Sequence, residues 1–225
     1  MYGGFEHEVR VFDCRGAGTI GGTSWAALGC DAYIPYTSGA PAAFSDACLI
    51  PSARGDGYGE VIGSSYSLLG VDVRVWMQTS GYNTPVEDIL FRMCLMEDVA
   101  PNLGIPMANY GFQDWSYANS TLQSFPAWGA VTNARYGILD DKMKLFPAGG
   151  WVSTDGNYGV NKGCIFDLCK RWPGGRRVHT KPGAAHGTPA IAKLSDYNVF
   201  LCAMRTALTG STITYHFTSR AYYST

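Results

Sequence analysis

The sequence contains no run of eighteen apolar residues, and its opening, MYGGFEHEVR, has no apolar signal core. The first absence removes a membrane-spanning helix and the second an ordinary export signal, so the protein is expected to stay in a reducing compartment, away from membranes. There is no CxxC pair either. The seven cysteines, Cys14, Cys30, Cys48, Cys94, Cys164, Cys169 and Cys202, are an odd number at irregular spacing, which excludes a complete disulfide framework and a zinc knuckle and leaves free core thiols. Histidine is scarce: His7, His179, His186 and His216 form no HExxH or HxH pair, and GxSxG and phosphate-loop patterns are missing. No catalytic residue, metal ligand or cofactor site is therefore assigned, and the protein is read as a non-enzyme. The sequon Asn119-Ser120-Thr121 is expected to be idle without an export signal.

Charge is also sparse, at 16% of residues, against 46% hydrophobic, which excludes a disordered chain. The 225 residues fit one domain, 1–225, able to bury a single core. A net charge of −1 hides an asymmetry: up to Gly129 there are five basic and thirteen acidic side chains, and from Ala130 onward twelve basic and five acidic. A balance of −8 thus faces one of +7, enough to make part of the surface attractive to an anionic partner.

Period-two alternation is the dominant pattern. In Leu68 to Gln78, Leu69, Val71, Val73, Val75 and Met77 alternate with Gly70, Asp72, Arg74, Trp76 and Gln78, so a strand with an apolar odd face is expected there. Eleven residues at about 3.3 Å each give a strand of roughly 36 Å. Glu8 to Asp13, Asp88 to Asp98, Lys162 to Trp172, Tyr197 to Thr206 and Ser211 to Tyr222 follow the same logic, with a fragment near Ser24 to Leu28. Arg135 to Phe146 is expected to break near Asp140 and Asp141 by a bulge. Tyr197 to Thr206 is apolar on both faces, as a central strand should be. Gly174-Gly175 is expected to turn the chain into a separate short basic segment, Arg176 to Lys181. Long stretches rich in Gly, Ser, Pro and aromatics separate these strands, notably Arg15 to Gly63 and Pro101 to Gly129. The expected fold is all-β: an eight-stranded antiparallel jelly-roll sandwich with long inter-strand loops.

The order of motifs adds a resemblance. EVRVFD, then Leu49-Ile50-Pro51 and the Gly-rich SARGDGYGEVIGSSYSL, then VRVWMQ, MEDVAPNLG, ILDDKMKL, CKRWPGGRRVHT, NVFLCAMR and STITYHFTSR resemble, nearly end to end, the single-jelly-roll capsid proteins of small circular Rep-encoding single-stranded DNA (circovirus-like) viruses. The chain departs from that family in two places. Val61-Ile62-Gly63 stands where many members have Arg-Ile-Gly, and Met1 to His7 holds no Arg or Lys where a basic arm is usual. The resemblance implies a structural coat protein that assembles with many copies of itself into an icosahedral shell around single-stranded nucleic acid, DNA in that family. It would be found in the virion, and in the host nucleus or cytoplasm during assembly. The alternatives are a carbohydrate-binding jelly-roll module using Trp and Tyr as stacking platforms, and a jelly-roll enzyme.

Three groups of residues are candidates for function. Lys170, Arg171, Trp172, Arg176, Arg177 and Lys181 combine positive charge with an aromatic ring, which suits phosphate contact and base stacking without sequence preference. In the absence of a basic arm, this segment is expected to face the particle interior. Tyr110, Phe112, Trp115 and Tyr117 lie in a loop with more aromatics than a solvated loop needs, and are expected to contact a neighbouring subunit. Arg54, Gly55 and Asp56 form an RGD triplet of the kind that engages integrin-type receptors, although Gly55 and Gly57 are also what a tight turn requires.

Overall fold

A computed structural model describes residues 8–20, 26–28, 32–34, 48–52, 54–80, 89–99, 101, 136–146, 163–181, 195–205 and 212–225. Among them are nine strands: β1 (Val9–Ile20), β2 (Ala26–Leu28), β3 (Ala32–Ile34), β4 (Ser65–Ser80), β5 (Ile89–Asp98), β6 (Tyr136–Phe146), β7 (Gly163–His179), β8 (Asn198–Arg205) and β9 (Thr212–Ser224). They form a five-stranded sheet in the order β3-β1-β9-β4-β7 and a four-stranded sheet in the order β2-β8-β5-β6. All of the strand pairings are antiparallel.

Alternation explains how the sheets meet. From the five-stranded sheet, Val71, Val73, Val75 and Met77 of β4 and Ile213, Tyr215 and Phe217 of β9 turn inward. Phe91, Met93 and Leu95 of β5 and Val199, Leu201 and Ala203 of β8 come from the other sheet to join the same buried cluster. Burying one such side chain is worth about 1.5–3 kcal/mol, so this shared layer dominates the stability of the fold. Residues 48–52 and 54–64 close one end through long-range bonds. Leu49 N–H donates to Val199 O at 2.8 Å, and Thr180 N–H to Ser64 O at 2.9 Å. The Tyr66 hydroxyl donates to Pro51 O at 2.8 Å, and the Tyr223 hydroxyl to Glu60 O at 2.9 Å.

The expected eight-stranded jelly roll is corrected by this topology. Seven strands are long, four in one sheet and three in the other, and each sheet gains one three-residue strand, β3 or β2. Both sheets are open, so the architecture implied by the resemblance to single-jelly-roll capsid proteins is not the one formed. Along the β6–β7 side, side chains link the sheets. Asp140 Oδ2 accepts the Cys169 N–H at 2.9 Å, and the Lys144 ammonium donates to Ile165 O while lying over the Phe166 ring. An edge strand whose backbone groups are taken up by side chains is blunted against further pairing.

Two local expectations also change. The β4–β7 register jumps from Leu68↔Arg176 to Gly70↔Arg171, so Leu69 on one strand and residues 172–175 on the other leave the ladder. The inward parity of β4 therefore switches: Tyr66 and Leu68 are buried before the shift, Val71 and Val73 after it, and Leu69 is displaced from the core. For the same reason the Gly-Gly turn does not start a new element. Gly175, at φ 69°, lets β7 bulge and continue to His179. The bulge expected in β6 is present, with the β5–β6 register stepping from Leu95↔Asp140 to Met96↔Ile138.

Candidate functional site

The basic segment of β7 is divided by the pleat and the bulge. Arg171 faces outward and pairs with Asp72 at 2.7 Å, its guanidinium 5.1 Å from the centre of the Tyr222 ring. Arg176 lies over the Tyr197 ring at 4.0 Å and reaches Glu97 at 3.5 Å. Burial, and then the hydrogen bond that its hydroxyl donates to Glu97, push the Tyr197 phenol far above its usual range, so it stays protonated as the donor of this cluster. Arg176 thus ties the five-stranded sheet to the end of the four-stranded one. Arg177 is exposed and donates to the neutral Ser65 hydroxyl at 3.2 Å. Lys170 is half-buried, Lys181 is exposed, and Trp172 packs against the core rather than standing out as a platform. Five of the six candidates therefore belong to one strand, with Lys181 just beyond its end, but they do not share one surface.

The RGD triplet sits in the tight turn that precedes β4. Arg54 donates to the Thr180 hydroxyl at 2.8 Å and also to the Thr180 carbonyl. Gly57 N–H donates to Glu60 Oε2 at 3.0 Å, while Asp56 is exposed. The guanidinium of the triplet is thus engaged within the fold. Tyr110, Phe112, Trp115 and Tyr117 lie outside the described residues.

Most of the described thiols are buried or half-buried; Cys169 is exposed. Cys14 shares a 2.8 Å hydrogen bond with Ser219, and burial pushes the thiols of Cys94 and Cys202 far above their usual range and that of Cys164 to about 11. Such thiols are poor nucleophiles. Among the described residues, no group of three or more His, Cys, Asp or Glu side chains is placed to hold a metal ion.

A site that the sequence pattern did not single out lies on the outer face of the five-stranded sheet. Cross-strand register sets Asp13 beside Arg220, Arg220 beside Asp72, and Arg74 beside Asp167. Arg220 grips Asp13 with two bonds of 2.7 Å, and Arg74 Nε donates to Asp167 at 2.6 Å. The hydrogen bond from Arg171 holds the Asp72 carboxyl below its usual range against the opposing effect of burial, and the bond to Asp13 holds the Arg220 guanidinium above its own. Tyr58 donates to Asp13 at 3.3 Å. These groups surround a groove of about 700 Å³ lined by Asp72, Arg74, Asp167, Thr218 and Arg220. Next to it stand exposed Trp76 and Ile165, with His216 beside the indole. The polar even positions of β4 and β9 were legible as solvent-facing, but their partners lie as many as 207 residues away, where no local pattern reaches. No protein-family model matches the chain, and no curated protein is significantly similar to it.

Proposed function

We propose that the protein is a structural coat subunit that assembles with copies of itself into a closed shell around single-stranded nucleic acid. The observation that carries this reading is the exposed apolar row on edge strand β6, where Met143 and Leu145 remain 44% and 53% exposed in the isolated subunit. An apolar row on a rigid sheet edge favours burial against a neighbour, and many moderate contacts of this kind sum to a stable particle. The engagement of most described cysteines and arginines in packing, hydrogen bonds and ion pairs is consistent with a structural role. The basic residues of β7 supply phosphate contacts in this reading, with Lys170 and Arg177 carrying more of them than Arg171 and Arg176, whose charges are already paired.

The test is sedimentation velocity with negative-stain imaging of the protein and of the double variant Met143→Lys, Leu145→Lys. The parent is expected to form uniform particles and the variant to sediment as small species with an unchanged circular-dichroism spectrum. A parent that stays a single subunit at high concentration overturns the proposal. Nucleic acid carried by the particles is read from the ultraviolet absorbance ratio, which Arg177→Glu is expected to lower. The salt dependence of binding should have a slope of about −0.7 per phosphate contact.

A further inference from the structure

The indole of Trp76 is unusual among the large aromatic side chains described because it lies in the open on a rigid sheet face. It is 45% exposed in the middle of β4, a strand paired on both sides. Its register partners are His216 on β9 and Ile165 on β7. The imidazole is offset from it, with ring centroids 6.0 Å apart and planes 28° apart. Gly163 makes room for the indole: a Cβ there would lie 2.9 Å from its Nε1 and 3.2 Å from the Met77 carbonyl. One row along the same face stands the Arg74–Asp167 pair, with side chains 70% and 61% exposed. Two residues along a strand is about 6.6 Å, roughly the reach of one pyranose ring lying on the indole with its hydroxyls over the pair.

The chemistry of the groove selects the ligand. Its volume of about 700 Å³ is in the range of small-molecule sites, and its lining mixes apolar surface with the charged groups of Asp13, Asp72, Arg74, Asp167 and Arg220, which disfavours a purely apolar occupant and suits one with both polar and C–H surface. Asp13, Asp72 and Asp167 stand among the arginines, so a phosphate chain would approach three carboxylates and compete for guanidinium groups already paired. A neutral polyol meets neither obstacle. Its vicinal hydroxyls can donate to a carboxylate and accept from a guanidinium at once, while its C–H face rests on the indole.

We propose that Trp76, flanked by His216 and the Arg74–Asp167 pair, is a binding site for a neutral hexopyranose. This goes beyond the coat-protein reading and does not depend on it. Saturation-transfer NMR titrations with lactose and with maltotriose, on the protein in its native assembly state, test it. At least one of the two is expected to bind saturably, with a dissociation constant on the order of 1 mM that changes little with salt. Trp76→Ala should weaken binding by about tenfold or more, and Asp167→Asn by a few-fold, both with unchanged circular dichroism. Gly163→Ala, which crowds the indole without removing it, should also weaken binding. Absence of binding by both sugars, or binding unaffected by Trp76→Ala, overturns the proposal. So does displacement of the sugar by oligothymidylate in a salt-sensitive, Trp76-dependent manner, which would assign the face to nucleic acid. Particle assembly is scored separately by sedimentation, so failure of one reading leaves the other standing.

Discussion

The two sheets turn different outer faces to their surroundings, and similar Arg–Asp pairs have different consequences on each. On the five-stranded sheet Arg74 and Asp167 lie mostly in water. On the four-stranded sheet the outward positions of β5 and β8 are buried too. Cys94 and Met96 of β5 and Phe200 and Cys202 of β8 are all at most 1% exposed, and Arg92 among them is 2% exposed. Burial works against the charge of Arg92, but the two Asp141 carboxylate oxygens, at 2.5–3.0 Å, together with the neighbouring Cys94 sulfur offset it and raise the guanidinium pKa. A wet pair trades water for a partner at almost no net gain, whereas a buried one must be kept because its loss strands a charge. The wet face is therefore free to carry ligand chemistry.

The comparison breaks most sharply at Asp141. Asp141→Ala should cost about 3–5 kcal/mol in chemical denaturation by leaving Arg92 buried without its carboxylate, and a loss under about 1 kcal/mol would show that this face is wetter than the fold implies. Arg220→Ala should fall between the two extremes, at about 1–3 kcal/mol, because Asp13 is nearly buried and loses two charged hydrogen bonds while keeping Tyr58. Asp167→Ala should change stability by less than about 1 kcal/mol, since its pair is exposed and screened. A large loss there would mean that the sheet, rather than a ligand, depends on it.

The smallest effect is one of pH. The Asp72 carboxyl is held below its ordinary value in the folded state, so its contribution is fully present above the usual carboxylate range and is lost as pH falls through the lowered folded value. Asp72→Asn should flatten the acid limb of the stability curve below about pH 4 and leave neutral-pH stability nearly unchanged. An acid limb identical to that of the parent would remove the Arg171 bond as the cause.

Much of the architecture was legible because strand chemistry is local. The alternation in Val71 to Met77 fixed a strand and its buried side, and the apolar faces of Asn198 to Arg205 announced a strand covered on both. The single-residue slip in β4 escaped. Leu69 belongs to the apolar series by composition, yet the bulge opposite 172–175 shifts it out of the core, and a bulge is decided by the partner strand. The same limit applied to the basic segment, where composition counted the charges of residues 170–181 but could not divide them between Asp72, Glu97 and Ser65.

The sequence by itself determined that this is an all-β chain, which side of each long strand is apolar, and the poverty of motifs for nucleophiles and metals, because period two and residue type act over a few neighbours. Tertiary structure alone decided that the sheets are open, that the outward side chains of β5 and β8 are buried while the outer face of the other sheet is wet, and that Trp76 stands beside an Arg74–Asp167 pair. Those facts depend on register between segments far apart in the chain, and register is set by the fit of whole faces rather than by any stretch that can be read along the sequence.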